Sequence, residues 1–305
     1  MAAVSPASPL TVTLITPTLD AAKFLPEMLE SVRPQRLPDL EHIVIDGGST
    51  DETLDLLSAE PEVTVVRQRS AGLYAALNEG MALAAGEVIG FVNADDLLAP
   101  GALRALVEGF ERAPSAGMVS GGGVVFRDDG SGRQRVVNDR GVKRLREQDV
   151  THGFPMLNAR LYRRSLLERV GPFDTRWPRC PDHEFLLRVV DAQPVRGAVE
   201  QVVYRYRAHP DSLTFRGGIE RDLIEEIVSM CTVRLEETTG QPRLHSRFRR
   251  WHTWGRTYLA LRDASERDLR GVFDELRAGL RVDALLPFVA SMQVAQHLRM
   301  RTQRR

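Results

Sequence analysis

The sequence contains few of the features that mark disulfide-stabilised, secreted or membrane-spanning proteins. Cys180 and Cys231 are its only cysteines. Two isolated thiols make neither a disulfide framework nor a cysteine-based zinc site, and they favour a reducing, cytoplasmic setting. The first ten residues lack a basic segment followed by an apolar one, so we expect no signal peptide. No apolar run approaches the roughly 20 residues of a membrane span.

An excess of charge of either sign is also missing. The 305 residues include 41 basic and 41 acidic side chains, so the formal net charge is zero. Nucleic-acid-binding domains usually carry a basic surface, and we therefore expect no nucleic-acid partner. The hydrophobic content of 43% is ordinary for a globular protein. The length suits one large domain or a domain with an appendage.

Predicted strands and helices alternate through the first hundred residues. Four apolar, β-branched segments predict buried strands, at residues 11–16, 41–46, 63–68 and 88–92. The intervals between these strands contain apolar residues at helical spacing or a glycine turn that leads into a helix. This order predicts an α/β fold with a mostly parallel sheet covered by helices on both faces. Such sheets bind ligands beyond the carboxyl ends of their strands, where three polar loops are expected: Thr16–Asp20, Asp46–Thr50 and Asn93–Asp96.

The fourth predicted strand ends in two adjacent carboxylates, Asp95 and Asp96. Neighbouring carboxylates repel each other, and a hard cation such as Mg²⁺ or Mn²⁺ removes that repulsion. A cation at this edge would in turn neutralise phosphate oxygens. The competing interpretation is the N-cap of a helix over residues 97–110, because Asp is a favoured capping residue. These residues alone leave both interpretations open.

The segment IDGGSTD at residues 45–51 also allows two interpretations. Its glycines would let the backbone approach a ligand closely, and the helix N-terminus that follows favours anions. An ordinary strand–turn–helix connection would use the same residues, with Ser49 or Thr50 as the helix cap.

The second half of the chain is less regular and ends in helices. We predict a strand at 117–126, a polar surface loop at 127–148 and a strand at 195–206. Helices are predicted at 163–170 and at 180–192, where Pro181 and Asp182 occupy the first turn. From about residue 219 the chain is almost entirely helical. The predicted organisation is a leader (1–10), an α/β domain divided near residue 100 (11–218) and a helical extension (219–305).

Six segments, taken in order over residues 11–215, resemble the family 2 glycosyltransferases of bacterial polysaccharide and exopolysaccharide assembly. They are TLITPTLDAAKFLPEMLESV, EHIVIDGGSTDETLDLL, GLYAALNEGMALAAGEVIGFVNADD, YRRSLLERVGPFD, PDHEFLLR and YRAHPDSLT. The resemblance implies a GT-A fold, a Rossmann-like, mostly parallel sheet flanked by helices. It also implies an inverting, metal-dependent transfer of a sugar from a nucleotide-sugar donor to the hydroxyl of a glycan, a lipid-linked glycan or another small acceptor. Residues 11–100 would form the donor half, and residues 101–218 the acceptor half.

The resemblance further implies roles for individual residues. Asp182 matches the general base that takes the acceptor proton. The NADD segment matches a DXD-type motif, in which Asp96 would bind Mn²⁺ or Mg²⁺, Asp95 would contact the ribose or the metal, and His209 would reach the metal. The remaining donor-binding candidates are Thr16, Pro17, Thr18, Asp46, Gly47, Arg69, Asn78 and Asn93. Acceptor-side candidates are His152, Phe154, Trp177 and Glu184.

Each of these roles has a plainer alternative. Asp182 could cap the helix over 183–192, and His209 could be a structural or solvent-facing histidine. The aromatic residues on the acceptor side could pack in the core, although aromatic rings in such a cleft also stack on sugars.

Two departures from the family pattern leave the donor open. Relatives often carry a second Asp after Asp46 that reads the base of UDP, and here that position is Gly47. Charged residues of related sequences are also replaced, at Ser70, Ala71 and Ala75. Arg67 or Arg69 is the candidate for the missing positive charge near the diphosphate.

The helical extension interleaves arginines with aromatic residues, as in RFRRWHTWGRTY at 247–258. A basic amphipathic helix with aromatics can bind an anionic membrane, which predicts peripheral contact at the inner face of the plasma membrane. The alternative is packing on the catalytic domain or on a second subunit of a homo-oligomer.

Two other functions remain compatible with the residues. The altered positions 47, 71 and 75 would suit a protein that holds a nucleotide sugar without transferring it. An Asp pair at a strand end also serves metal-dependent phosphotransferases and hydrolases. Those enzymes need a nucleophilic Asp earlier in the chain, and the surroundings of Asp20 and Asp46 lack a convincing pattern for one.

Overall fold

The computed structural model describes residues 10–35, 37, 39–128, 134–142, 145–151, 155–209 and 221–283. Most of the predicted leader and the acceptor-side candidates His152 and Phe154 lie outside these ranges. The described strands are β1 Val12–Thr18, β2 Leu40–Asp46, β3 Val63–Arg67, β4 Val88–Phe91, β5 Leu97–Leu98, β6 Met118–Asp128, β7 Gln134–Val142, β8 Arg160–Arg163 and β9 Arg196–Arg207. The helices are α1 Leu25–Val32, α2 Thr53–Ser58, α3 Leu73–Leu83, α4 Ala102–Arg112, α5 Glu147–Thr151, α6 Arg164–Val170, α7 Pro181–Asp191, α8 Arg221–Glu237, α9 Pro242–Glu266 and α10 Leu269–Val282.

The first four strands form the parallel half of a sheet. Their order is β3-β2-β1-β4, and β1, whose seven residues are all buried, lies between β2 and β4. Apolar side chains on both faces of β1 and β4 explain why these strands read as continuous hydrophobic runs. The predicted α/β fold with a mostly parallel sheet is confirmed in this half.

The second half of the sheet is mixed in direction. Its order continues as β8-β6-β9-β5, with β7 paired to β6. Strand β8 is antiparallel to both β4 and β6, whereas β6 and β9 are parallel. The nine strands described here therefore form one sheet, in which β9 runs beside the strand that follows the Asp pair.

The competing interpretation, in which a helix follows the Asp pair directly, is wrong. Leu97 and Leu98 form β5, which pairs antiparallel with Arg205 and Tyr204 of β9. Helix α4 begins only at Ala102, and Gly101 occupies its N-cap position. Burial of the two leucines against β9 outweighs their helix propensity. Asp95 and Asp96 therefore do not cap a helix, which removes the competing interpretation of the pair.

The prediction of a surface loop over residues 127–148 is also wrong in part. Strand β6 continues to Asp128, and β7 pairs antiparallel with it over residues 134–142. β7 is rich in polar residues, and exposed Arg135 and Val136 show none of the alternation that marks a half-buried strand. Edge strands carry weak hydrophobic patterns, so sequence periodicity missed this one.

The described residues divide into two compact units. The first contains residues 10–176 and 181–209, and the second contains 177–180 and 221–283. Within the second unit α9 packs on α8, where Gly255 leaves room for Val228, and an Arg256–Glu275 ion pair joins α9 to α10. Among the described helices, none combines the length and apolar composition that a membrane crossing requires.

Candidate functional site

The carboxyl ends of β1 and β2 meet at Thr18 and Asp46, which are direct partners in the sheet. Asp46 is only 2% exposed. Its carboxylate accepts hydrogen bonds from the backbone N–H groups of Gly48 (2.9 Å) and Ser49 (3.0 Å), from the Ser49 hydroxyl (2.5 Å) and from Thr18 Oγ1 (3.3 Å). Asp46 therefore shapes the glycine turn. Ser49 serves that turn and not a helix N-terminus, which corrects its predicted capping role.

Gly47 lies in a tight place beside a residue that the sequence did not single out. Its N–H donates to the carbonyl of Thr18 (2.8 Å). A Cβ atom at position 47 would lie 3.2 Å from Gln68 Oε1 and 3.3 Å from the Thr18 carbonyl. The Gln68 side-chain amide therefore lies next to the position at which an acidic side chain on residue 47 would start. Arg69, two residues beyond the end of β3, has an exposed side chain.

Asp96 is held by three donors in a closed environment. Its Oδ2 accepts from the Tyr204 hydroxyl (2.6 Å) and from Asn93 Nδ2 (3.0 Å), and its Oδ1 accepts from the backbone N–H of Arg207 (2.7 Å). The side chain is 1% exposed. Burial, with a smaller contribution from the charge of Asp95, raises the pKa of Asp96 well above its usual value, and the three hydrogen bonds oppose that rise. Asp96 therefore stabilises the loop over residues 93–96 from the buried side, through these three hydrogen bonds.

Asp95 faces the opposite way and pairs with His209. Its side chain is 36% exposed, and its Oδ2 lies 3.0 Å from His209 Nε2. The imidazole of His209 packs on the ring of Phe24, with ring centroids 4.8 Å apart. Beyond the end of β4, the pair therefore brings one carboxylate oxygen and one ring nitrogen together. The Phe24 ring packs against the imidazole of this pair.

The donor set at this pair suits a cation that is shared with a phosphate ligand. Within the part of the chain that the structure describes, no group of three or more His, Cys, Asp or Glu side chains is arranged to hold a metal ion. Magnesium-type sites commonly use one or two carboxylates and complete the shell with water and substrate phosphates. Asp95 with His209 fits that pattern better than buried Asp96, whose oxygens already accept three hydrogen bonds.

Asp182 lies in the first turn of α7, which begins one residue earlier at Pro181. It is therefore inside the helix and is not the cap of a helix starting at 183. An anion in the first turn is favoured by the helix dipole. Burial raises the pKa of Tyr162 to about 12, and the charge of Asp182 makes a small contribution to that rise. Asp182 remains partly exposed.

Several predicted site residues have other roles in the structure. Thr16 is fully buried and its hydroxyl lies 2.9 Å from His42 Nε2. Asn78 uses both ends of its amide on the backbone of Phe173, at 2.8 and 2.9 Å. Glu184 is fully buried and accepts from Arg188. These three placements do not favour direct contact with donor or acceptor, and Trp177 belongs to the second compact unit.

The sequence did not single out three residues that hold the loop. Tyr204 bonds Asp96, Asn158 Nδ2 donates to the Tyr204 hydroxyl (2.7 Å), and Arg207 donates from Nε to the Asp95 carbonyl (2.8 Å). The only available signal was the polar pattern YRYR at the end of an otherwise apolar strand. That pattern is common on solvated strands, so it does not identify a buried network.

Comparison with known proteins fits this arrangement. The model of the family described as "Glycosyl transferase family 2" matches residues 13–171, slightly more than half of the chain. The chain belongs to glycosyl transferase family 2. It is 33% identical over 183 residues to a PGL/p-HBAD biosynthesis glycosyltransferase of Mycobacterium bovis, covering 57% of this chain and 68% of the relative. It is 27% identical over 220 residues to an uncharacterized glycosyltransferase of Bacillus subtilis, EpsJ, covering 67% and 62%. The protein is thus a glycosyltransferase.

Solved structures of low sequence identity share the fold. S. aureus TarS (residues 1–349), in complex with UDP-GlcNAc, has a TM-score of 0.65 at 17% identity and covers 93% of this chain and 88% of its own. The mannosyltransferase PcManGT of Pyrobaculum calidifontis, in complex with GDP-Man and Mn²⁺, has a TM-score of 0.53 at 20% identity and covers 98% and 84%. These similarities confirm the expected GT-A fold.

Proposed function

We propose that this family 2 glycosyltransferase is an inverting, cation-assisted enzyme that moves a sugar from a nucleotide-sugar donor to a hydroxyl group. The observation that carries the proposal is the outward-facing Asp95–His209 pair, held at the carboxyl end of β4 by the buried Asp96 network. This edge of a parallel sheet is where such folds bind nucleotides. A carboxylate at a helix start, Asp182, supplies the second element of the chemistry.

The proposed reaction divides the work between these carboxylates. Asp182 accepts the proton of the acceptor hydroxyl while that oxygen forms a bond to the anomeric carbon, and the bond from this carbon to the diphosphate breaks. Mn²⁺ or Mg²⁺ held by Asp95 and His209 would supply charge neutralisation for the departing nucleoside diphosphate. Asp96 orients the loop, and Asn93 supports it by donating to Asp96. The exposed guanidinium of Arg69 is the candidate for a further contact with phosphate.

The nucleoside of the donor is proposed at the level of class. TarS is in complex with UDP-GlcNAc and PcManGT with GDP-Man, so uridine and guanosine donors are the first to test. Gly47 offers no carboxylate to a base, whereas Gln68 beside it offers the acceptor oxygen Oε1, while its Nε2 donates to the carbonyls of Ser70 and Gly72. Gln68 is therefore the candidate for base contact in this chain.

We further propose an acceptor at a membrane surface on the cytoplasmic side. Helix α10 exposes Leu269, Phe273 and Leu280, which are spaced along one helical face. Exposed arginines flank this stripe, at positions 270, 277 and 281. An apolar stripe beside cationic side chains suits an anionic bilayer, as a lipid-linked glycan acceptor would require. Flotation with phosphatidylglycerol vesicles tests this, and binding that is equal for full-length protein and protein lacking 219–305 would contradict it.

The function is tested by a donor screen on the full-length chain. UDP- and GDP-sugars are supplied with Mn²⁺ or Mg²⁺, and nucleotide release is compared with acceptor-dependent product. We expect release that needs both a cation and an acceptor, and a product of inverted anomeric configuration by NMR. Binding without turnover would instead favour a nucleotide-sugar-binding protein. Release of inorganic phosphate without sugar transfer would favour a phosphotransferase or hydrolase.

A further inference from the structure

Arg207 is a charged residue buried beneath the proposed donor site. Its side chain is only 2% exposed, although it carries a permanent positive charge. Burial of a cation is costly unless its donors are satisfied and its charge is paired. In this chain the guanidinium donates to several partners, and one of them is the Asp95 carbonyl in the NADD loop, residues 93–96.

The guanidinium joins three separate segments. Nε donates to the main-chain carbonyl of Asp95 (2.8 Å), Nη2 donates to Glu27 on α1 (2.5 Å), and Nη1 donates to Asp128 at the end of β6. The backbone N–H of the same residue donates to Asp96 (2.7 Å). One residue at the end of β9 therefore holds both members of the Asp pair through groups of fixed geometry.

Two aromatic rings lie close to the Arg207 guanidinium, and one of them also contacts His209. Its central carbon lies 5.1 Å from the ring centroid of Phe24 and 4.7 Å from that of Phe126. The Phe24 ring also contacts the imidazole of His209, at a centroid distance of 4.8 Å, and Lys23 Nζ lies 4.8 Å from its centroid. Displacement of the guanidinium would release Phe24 and, with it, the packing of His209 beside Asp95.

We propose that Arg207 is a positioning residue for the donor site, and this inference rests on the function proposed above. Its fork geometry sets the main chain at Asp95 directly and the ring of His209 through Phe24. A lysine cannot replace it, because a single ammonium group cannot point donors along the three directions of the planar fork. The carboxylates of Glu27 and Asp128 hold the guanidinium in place, so that its Nε stays in position to donate to the Asp95 carbonyl.

The strand offers a matched control two residues earlier. Arg205 points to the same side of β9, lies over the same Phe126 ring (4.8 Å) and donates to Gln134 Oε1 (2.5 Å). Its hydrogen bond leads to Gln134 of β7, whose amide donates to Glu27, so Arg205 is linked to the NADD loop only indirectly, through Glu27 and Arg207. Arg205→Lys and Arg207→Lys each remove one guanidinium from the same strand, and they differ in burial and in direct contact with Asp95.

The first measurement uses no ligand. Hydrogen–deuterium exchange of the full-length protein is followed in peptides covering residues 92–97, where the Asp96 amide is bonded to the Asn93 carbonyl (3.1 Å). We expect Arg207→Lys to accelerate exchange there by roughly tenfold, and Arg205→Lys to change it by less than about twofold. If Arg207→Lys does not fold, Glu27→Gln and Asp128→Asn take its place, each with an expected acceleration of roughly threefold.

The second measurement separates positioning from general loss of structure. A variant that merely folds less well contains fewer active molecules, which lowers kcat and leaves KM unchanged. A displaced Asp95–His209 pair should raise the donor KM and the half-saturating Mn²⁺ concentration by roughly fivefold or more. The inference is overturned if the two lysine variants exchange alike in 92–97 or shift KM alike. A wild-type protein that transfers no sugar contradicts the proposed function only, because the exchange result is obtained without donor.

Discussion

The hydroxyl of Tyr204 provides the most direct perturbation of the Asp96 network. Tyr204 is 1% exposed, donates to Asp96 Oδ2 (2.6 Å) and accepts from Asn158 Nδ2 (2.7 Å). Tyr204→Phe removes one bond to an ionisable group, which contributes about 1.5–3 kcal/mol, and leaves the Asn158 amide and the more distant Asn93 backbone N–H without this acceptor, which costs about 1–3 kcal/mol. Because the two losses overlap, we expect the free energy of unfolding of the first unit to fall by about 2–4 kcal/mol.

The assay must separate the two compact units, since a single transition is not assured for such a chain. All three tryptophans, Trp177, Trp251 and Trp254, belong to the second unit, so their fluorescence reports its unfolding in urea. Far-ultraviolet circular dichroism follows both units. Tyr204→Phe should therefore lower the urea midpoint of the dichroism transition that belongs to the first unit. The urea midpoint of the tryptophan fluorescence change, which belongs to the second unit, should stay the same.

A double-mutant cycle decides whether the effect passes through Asp96. Tyr204→Phe is measured in the wild-type chain and in Asp96→Asn, and the difference gives a coupling energy that we expect to be about 1–2 kcal/mol. Equal costs in both backgrounds, within about 0.3 kcal/mol, would refute the reasoning, because the hydroxyl would then stabilise the fold independently of the carboxylate.

Two further predictions concern the sheet. Burial lowers the pKa of His42 from 6.5 to about 4, so the folded unit loses stability as pH falls from 6.5 toward 4. His42→Gln should remove up to about 3 kcal/mol of that pH dependence in urea unfolding, and an unchanged profile would contradict it. At Gly86, a Cβ would lie 2.6 Å from the backbone nitrogen of Thr13, whereas at Gly240 it would meet nothing within 4 Å. Gly86→Ala should therefore destabilise by about 1–3 kcal/mol and Gly240→Ala by less than about 0.5 kcal/mol, and similar melting temperatures would contradict this.

The parallel half of the sheet was predictable because its signals are local. Strands β1, β2 and β4 are continuous apolar segments, and the intervals between them carry helical periodicity or glycine turns. The expectation that polar loops meet beyond the strand ends follows from parallel pairing alone, and Thr18 and Asp46 are indeed direct partners.

The part that failed depends on contacts between distant residues. β5 is two residues long and exists because β9, more than a hundred positions later, pairs with it. A local pattern cannot distinguish it from the start of a helix. β7 escaped prediction for a related reason, because it is an edge strand that owes its conformation to pairing with β6.

The sequence alone likewise did not predict that Asp96 is buried while Asp95 is exposed. Tyr204 and Arg207 reach Asp96 across 108 and 111 positions of the chain. These contacts turn Asp96 inward and leave Asp95 beside His209. The family resemblance drew attention to this segment, and the contacts decide which of its two carboxylates is exposed.

The most direct test of the account compares Asp182→Asn with Asp191→Asn, a matched change at the last residue of the same helix. Each variant is assayed for nucleotide-sugar binding and for sugar transfer under identical conditions. We predict that Asp182→Asn binds donor within about threefold of wild type and transfers sugar roughly 10²–10⁴-fold more slowly, while Asp191→Asn retains transfer. Transfer by Asp182→Asn at the wild-type rate would contradict the assignment of the general base.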